Sequence, residues 1–147
     1  WPTINSYKRL VDGFWAPGKP TWGVDNRTAS FRVIAGSPKA TRLETRCPGA
    51  DVNPYLAVAA LIAGGLHGIE NGLELEQPCA GNAYTGSAQR LPTTLAEAAA
   101  LFDGSAVARS AFGDDVVEHY LNNARVELTA FNSAVTDWER KRGFERL

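Results

Sequence analysis

The feature that most constrains this chain is a run of apolar residues near its carboxyl end, spaced alternately four and three residues apart. The segment begins at Asp114 and Asp115, and the spacing continues to Trp138. Residues at these intervals lie on one side of an α-helix, so the pattern predicts one long helix with a single apolar stripe. Tyr120 widens the stripe, which favours a helix docked across a domain over a free coiled coil. The stripe comprises Val117, Leu121, Ala124, Leu128, Phe131, Val135 and Trp138.

Three further helices are predicted upstream of this stripe. Asn53 followed by Pro54 is a favourable helix start, and the Ala-, Leu- and Gly-rich segment after it extends to about Glu70. Because that segment is apolar almost all round, we expect it to be buried on most sides. Two shorter helices are predicted over 95–102 and 105–113, and a long loop is predicted before them over 72–92, where Pro and Gly recur.

The first third of the chain predicts loops and strands. Pro and Gly punctuate residues 1–25 and predict loops, in which we expect four aromatic side chains to be buried. Alternating residues predict strands over 28–34 and 41–47, joined by a turn at 36–39 and close enough to form an antiparallel hairpin. The predicted fold class is therefore α+β, with antiparallel strands in the first third and a helical second half. The four aromatic residues are Tyr7, Phe14, Trp15 and Trp22.

Length and composition exclude several functional classes. The chain has 147 residues and is 44% hydrophobic, which is enough for one domain with a core. No apolar run approaches the roughly 20 residues that span a bilayer, and no signal peptide is recognisable, so no membrane partner is expected. Two cysteines, Cys47 and Cys79, suit neither a disulfide framework nor a zinc site, which favours the cytoplasm. The absence of methionine and the start at Trp1 predict a piece of a longer chain.

Charge is distributed unevenly. Residues 1–50 contain 8 Lys and Arg against 3 Asp and Glu, whereas residues 51–147 contain 7 against 13. This asymmetry predicts a local site for an anionic ligand, with ordinary surface ion pairs as the alternative. Nucleic-acid binding is a weaker interpretation, because the basic part lacks interleaved aromatic residues and the remainder is acidic.

The basic residues concentrate on one predicted strand face. Arg42, Glu44 and Arg46 alternate along the second strand and so share a face, while Arg32 lies on its neighbour and Arg27 precedes it. One interpretation is a salt-bridge ladder. The other is a phosphate site, in which the carboxylate is a hard oxygen ligand for Mg²⁺ and the guanidinium groups bind phosphate oxygens. No glycine-rich phosphate loop is present, so any nucleotide would be held by side chains.

Five short motifs in a fixed order resemble the C-terminal part of the glutamine synthetase catalytic domain. They are Asn5–Leu10, Asn26–Ser30, Ser37–Ala40, Arg42–Arg46 and Asn53–Leu56. The resemblance covers nearly the whole chain, and the tail over 124–140 is more similar to the γ-glutamyl-amine ligase branches than to the housekeeping enzyme. It implies that residues 1–147 are a fragment of a distorted α/β barrel, within a homo-oligomer of stacked rings.

The resemblance also implies an ATP-dependent ligase. In this family ATP and Mg²⁺ or Mn²⁺ serve to phosphorylate the γ-carboxylate of glutamate, and ammonia or another amine, such as a polyamine, then displaces the phosphate. Arg9 matches the arginine that holds the glutamate carboxylate. Arg27 matches an arginine that contacts phosphate during transfer. Arg46 matches one that stabilises both the substrate carboxylate and the phosphoryl group, so Arg27 and Arg46 are the expected catalytic residues.

The nucleotide and metal positions are implied in the same way. Glu44 matches a metal-ligand glutamate, and the family's other metal ligands lie upstream of this segment. Since one carboxylate holds Mg²⁺ poorly, we expect these 147 residues alone to be inactive. The positions expected to bind ATP are Arg32, Lys39 and Arg42.

One position departs from the family pattern. The family's flap reads Pro-Gly-aromatic-Glu-Ala-Pro, and its glutamate helps bind and deprotonate ammonium. Here the segment is Asp12–Pro17, with Trp15 at the glutamate position. An indole cannot accept that proton, but it can stack on an organic amine, so we expect an acceptor larger than ammonia. The alternative is a non-catalytic structural or assembly protein on the same scaffold, with Trp15 as a hydrophobic plug.

Overall fold

The computed structural model describes residues 1–146 and has three short strands followed by five α-helices in that range. This order confirms the α+β prediction. None of the described helices is both long enough and apolar enough to cross a bilayer. The elements are β1 (Trp22–Val24), β2 (Phe31–Ile34), β3 (Arg42–Thr45), α1 (Pro54–Glu70), α2 (Leu95–Asp103), α3 (Ala106–Phe112), α4 (Asp114–Ser133) and α5 (Asp137–Glu145).

The strands form one sheet in the order β1-β2-β3. The β2–β3 pair is antiparallel, with Arg32 opposite Glu44, which confirms the predicted hairpin. The β1–β2 pair is parallel, so the prediction of antiparallel strands alone is wrong there. Strand β2 also starts later than predicted, because the Asn26 side chain accepts a hydrogen bond from the Thr28 backbone and turns the chain.

A small apolar core joins the first residues of the chain to α2 and α4. Its buried members are Tyr7, Leu10, Ala16, Leu95 and Ala124. Of the four aromatic residues that were expected to be buried, Tyr7 is buried and Trp22 is partly buried, whereas Phe14 and Trp15 are 77% and 61% exposed. The loop that carries them lies on the surface. A loop has no regular side-chain period from which burial could be predicted.

The predicted single helix through residue 138 is wrong, because two helices cover that stretch. The stripe is buried only in its first half, and α4 ends at Ser133. Thr136 and Glu139 then form a capping box, in which each side chain accepts a hydrogen bond from the other residue's backbone N–H. This local motif starts α5 and leaves Val135 and Trp138 each 72% exposed. The Thr-x-x-Glu spacing was the available sequence signal.

Replacing Val117 by alanine is expected to lower the free energy of unfolding by about 2 kcal/mol, because its fully buried side chain loses apolar contacts. Val116→Ala is the matched control, since Val116 is the preceding residue on the same helix and is 38% exposed. Its effect is expected to stay within about 0.5 kcal/mol. Urea denaturation of the complete protein measures both, and equal losses would contradict the assigned orientation of α4.

Helix α1 begins as predicted but is not buried. The Asn53 side chain accepts hydrogen bonds from the backbone of Tyr55 and Leu56, as an N-cap does. No residue of α1 is buried within the described chain, and Tyr55 and Ile69 are 85% and 78% exposed. The helix packs mainly on α3, and a cavity of about 590 Å³ separates its first turns from α2 and α4. The prediction that α1 is buried on most sides is therefore wrong within the described chain.

Candidate functional site

The sheet brings a carboxylate between two guanidinium groups. Glu44 accepts a hydrogen bond on Oε2 from Arg32 Nη1 at 3.1 Å and on Oε1 from Arg42 Nη2 at 3.2 Å. Cross-strand pairing puts Arg32 opposite Glu44. Side chains alternate between the two faces of a strand, so Arg42, two residues before Glu44, lies on the same face. The shared face predicted from the sequence is thus present. Side-chain exposure falls from 55% for Arg42 to 14% for Arg32.

A second carboxylate, which the sequence analysis did not select, completes this cluster. Asp25 accepts hydrogen bonds from Arg32 Nε, at 3.0 Å, and from Arg32 Nη2. These bonds hold the pKa of Asp25 below its ordinary value. Desolvation opposes ionisation of Glu44, but the hydrogen bonds from Arg32 and Arg42 prevail, so its pKa is also lowered. Both carboxylates are therefore anionic at neutral pH.

Beyond the end of β3, a second group of candidate residues meets through backbone carbonyls. Arg46 Nη2 donates to the carbonyl oxygen of Trp15 at 3.2 Å, and Arg9 Nη1 donates to that of Cys47 at 2.5 Å. Trp15 has a φ of 60°, in the left-handed region that is unusual for a bulky residue. The structure thus brings Arg9, Trp15 and Arg46 to one end of β3, with the Trp15 side chain exposed.

Arg46 retains unused hydrogen-bonding capacity. Its Nε is buried and has no partner among the described residues. A guanidinium group has five N–H donors, so its single bond to the Trp15 carbonyl leaves donors for an anionic ligand. Buried donors without partners are uncommon, and this one lies at a position selected from the sequence.

The two remaining cations lie in exposed turns. Arg27 is in the turn between β1 and β2, and Lys39 is in the turn between β2 and β3. Neither forms an ion pair within residues 1–146. The structure therefore brings five of the seven predicted cationic and acidic residues into two groups and leaves Arg27 and Lys39 in the connections between strands.

The described residues do not form a complete metal site. No group of three or more His, Cys, Asp or Glu in residues 1–146 is arranged to hold a metal ion. Glu44 could supply one oxygen ligand, whereas Mg²⁺ requires near-octahedral coordination by several oxygens. Both oxygens of Glu44 accept a hydrogen bond from an arginine, so a metal ion there would have to use the remaining lone pairs of these oxygens or displace one of the arginines.

Comparisons of sequence and of structure relate this chain to the same group of proteins. The family described as "Glutamine synthetase, catalytic domain" matches residues 1–143. Gamma-glutamylethanolamide synthetase GlnA4 of Streptomyces coelicolor is 60% identical over 99% of this chain and 31% of its own length. Glutamate–isopropylamine ligase of a Pseudomonas species is 47% identical over 96% of this chain and 31% of its own length.

Solved structures agree. A GmaS/ADP complex has a TM-score of 0.83 and 34% sequence identity, and the match covers 98% of this chain and 35% of that one. The chain therefore spans about a third of the length of the relatives that it matches.

Proposed function

Because this chain belongs to the glutamine synthetase catalytic-domain family, we propose that the protein containing it is an ATP-dependent ligase. It joins an amine to the γ-carboxylate of glutamate through γ-glutamyl phosphate. The observation that carries the proposal is the carboxylate of Glu44, held between Arg32 and Arg42 on the same sheet face that leads to Arg46. Two relatives are named for amide or amine ligation, and one related structure is a complex with ADP.

The nucleotide side of the proposed site is the sheet face. Arg32 and Arg42, with Lys39 in the adjoining turn, would pair with the phosphates of ATP, since a planar guanidinium binds phosphate in two places. Glu44 would supply one ligand to Mg²⁺ or Mn²⁺, and the other ligands would come from outside the described residues. A bound divalent ion neutralises charge on the phosphate oxygens.

The glutamate side lies at the end of β3. Arg9 would bind a carboxylate of glutamate, and Arg27 and Arg46 would stabilise the negative charge that spreads over the phosphoryl group during transfer. Preorganised cations contribute most where charge develops, because they need not reorganise as the reaction proceeds. The unused donors of Arg46 support this assignment.

The acceptor is proposed to be an organic amine. Trp15 exposes its indole, and its backbone carbonyl accepts a hydrogen bond from Arg46. Aromatic faces attract organic ammonium groups and exclude water from their carbon substituents. The indole cannot act as a base, so the amine would lose its proton to another group or to water.

The rest of the proposed protein would cover α1. Its exposed apolar residues include Tyr55, Val58, Ile62, Leu66 and Ile69, which recur at intervals of three and four along one side of the helix. Contiguous apolar surface of this kind marks an interface. The relatives extend well beyond the matched third, so the proposed occupant is the remainder of the catalytic domain. We place the complete protein in the cytoplasm as a homo-oligomer.

Phosphate release tests the proposal. The complete protein is expected to release phosphate from ATP only when glutamate and an amine are both present, with ethanolamine and isopropylamine preferred to ammonium. The isolated 147 residues are expected to show no turnover. Because Arg32 and Arg42 are already paired with carboxylates, a structural protein is the second candidate. Absence of phosphate release with every amine would favour that candidate.

A further inference from the structure

The geometry points to Asn26 as a positioning residue for Arg27, acting through the connecting loop, which we define as residues 73–91 between α1 and α2. This inference rests on the proposed function, in which Arg27 contacts the transferred phosphoryl group. The connecting loop contributes none of the predicted site residues, yet its hydrogen bonds converge on the turn that carries Arg27.

Both neighbours of Arg27 are bonded to the connecting loop. Asn26 Nδ2 donates to the carbonyl oxygens of Cys79 and Gly81, each at 2.8 Å. On the other side, Thr28 Oγ1 accepts from the Ala83 backbone N–H at 2.9 Å. Arg27 is thus held between two residues that are anchored to the same loop.

A third set of bonds closes this arrangement. Asn26 Oδ1 accepts from the Thr28 backbone N–H at 2.9 Å and from Thr28 Oγ1 at 2.7 Å. The Asn26 side chain therefore uses its donors on the loop and its acceptor on the residue after Arg27. Because every polar atom of the amide is engaged, its orientation is well determined.

The connecting loop approaches β1 too closely for an ordinary side chain. A Cβ at Gly23 would lie 2.7 Å from the carbonyl oxygen of Cys79, which is shorter than any normal contact. The Cys79 N–H donates to the Trp22 carbonyl at 2.8 Å, so the loop runs beside the strand. Ala83 is only 2% exposed, so the loop is packed against the protein at this residue.

The turn has an unusual backbone. Asp25 has a φ of 49°, in the left-handed region that few residues with a side chain adopt, although aspartate is among those that tolerate it best. Arg27 is exposed and makes no ion pair within residues 1–146 that would fix its position. The space that its guanidinium can reach is therefore set by the position of its backbone, which the bonds of Asn26 and Thr28 hold. A displacement of about 1 Å can cost about 100-fold in rate.

Two variants of the complete protein test the inference. Asn26→Ala removes the two bonds to the loop and the two that Asn26 accepts from Thr28. Thr28→Val removes the bond from Ala83 and the hydroxyl bond to Asn26 while keeping the side-chain shape. Each is expected to lower kcat for amine-dependent phosphate release about tenfold, with KM for ATP and glutamate changed less than about twofold. The matched control is Trp22→Phe, which removes the bond from Trp22 Nε1 to the Glu76 carbonyl in the same loop. We expect its kcat to change less than about twofold.

A double variant separates positioning from stability. In an Arg27→Lys background, Asn26→Ala is expected to change kcat less than about twofold, because residues that act as a unit are not additive. An equal loss in both backgrounds, or an equal loss in Trp22→Phe, would overturn the positioning role while the wild type remains active. A wild type without glutamate- and amine-dependent phosphate release would instead overturn the proposed function, and with it the role of Asn26. Circular dichroism checks that each variant is folded.

Discussion

Arg46→Ala is expected to lower the kcat of the complete protein about 100- to 1,000-fold, the loss that follows removal of one preorganised group at a developing negative charge. Arg46 donates to the Trp15 carbonyl and retains a buried Nε without a partner in the described chain, so it can bind an anion without breaking another bond. The measurement is phosphate release at saturating ATP, glutamate and amine.

The control for Arg46 is an arginine that anchors the same segment elsewhere. Arg90 bonds to Asp12 Oδ2 and to the Leu10 carbonyl, just before Trp15. Arg90→Ala loosens that segment without removing a predicted phosphate contact, so its kcat is expected to fall less than about fivefold, since such an exposed ion pair contributes little. Similar losses in both variants would show that Arg46 acts by anchoring the segment and would contradict its electrostatic role.

Trp15→Glu is expected to raise the preference for ammonium over isopropylamine about 100-fold, measured as the ratio of the two kcat/KM values. A carboxylate at this position can pair with ammonium and accept its proton, whereas loss of the indole removes an apolar face for the isopropyl group. A glutamate at position 15 can keep the same backbone conformation, because Trp15, which also has a Cβ, already adopts the left-handed region.

Phe14→Glu is the matched control for this change of selectivity. It introduces the same charge one residue earlier, at a side chain that is 77% exposed and has no hydrogen bond to the site arginines. We expect its amine preference to change less than about fivefold. If Trp15→Glu leaves the ratio of kcat/KM values unchanged while the enzyme remains active, the indole does not select the amine.

The candidate site could be predicted from the sequence where its geometry is local. Strand periodicity alone put Arg42, Glu44 and Arg46 on one face, and the hairpin register then placed Arg32 against Glu44. The pairing of Arg32 with Asp25 depends on the turn after β1, and β1 has no recognisable sequence pattern because it has only three residues, one of them glycine.

Helix ends also depend on local sequence, so some of them were predictable. The Asn53 cap was identified, and the capping box of Thr136 and Glu139 was present in the sequence but was outweighed by an apolar spacing that continues through it. A capping box acts over four residues, whereas a stripe is buried only where another element lies against it. Past Leu128 the described chain supplies no such element, and the exposure of Phe131 and Trp138 follows.

The amino-acid sequence by itself determined the β2–β3 hairpin, the starts of α1 to α4, the Asn53 cap and the strand face that Glu44 shares with Arg42. These features depend on residues within a few positions of one another, or on one hairpin. Only the tertiary structure decided that β1 runs parallel to β2, that α1 is uncovered in this chain, and that residues 79–83 hold both sides of Arg27. The contacts of residues 79–83 with Asn26 and Thr28 join positions more than 50 residues apart, so no local pattern encodes them. Strand β1 lies close to β2 in the sequence, but its three residues are too few to show a strand period or a direction.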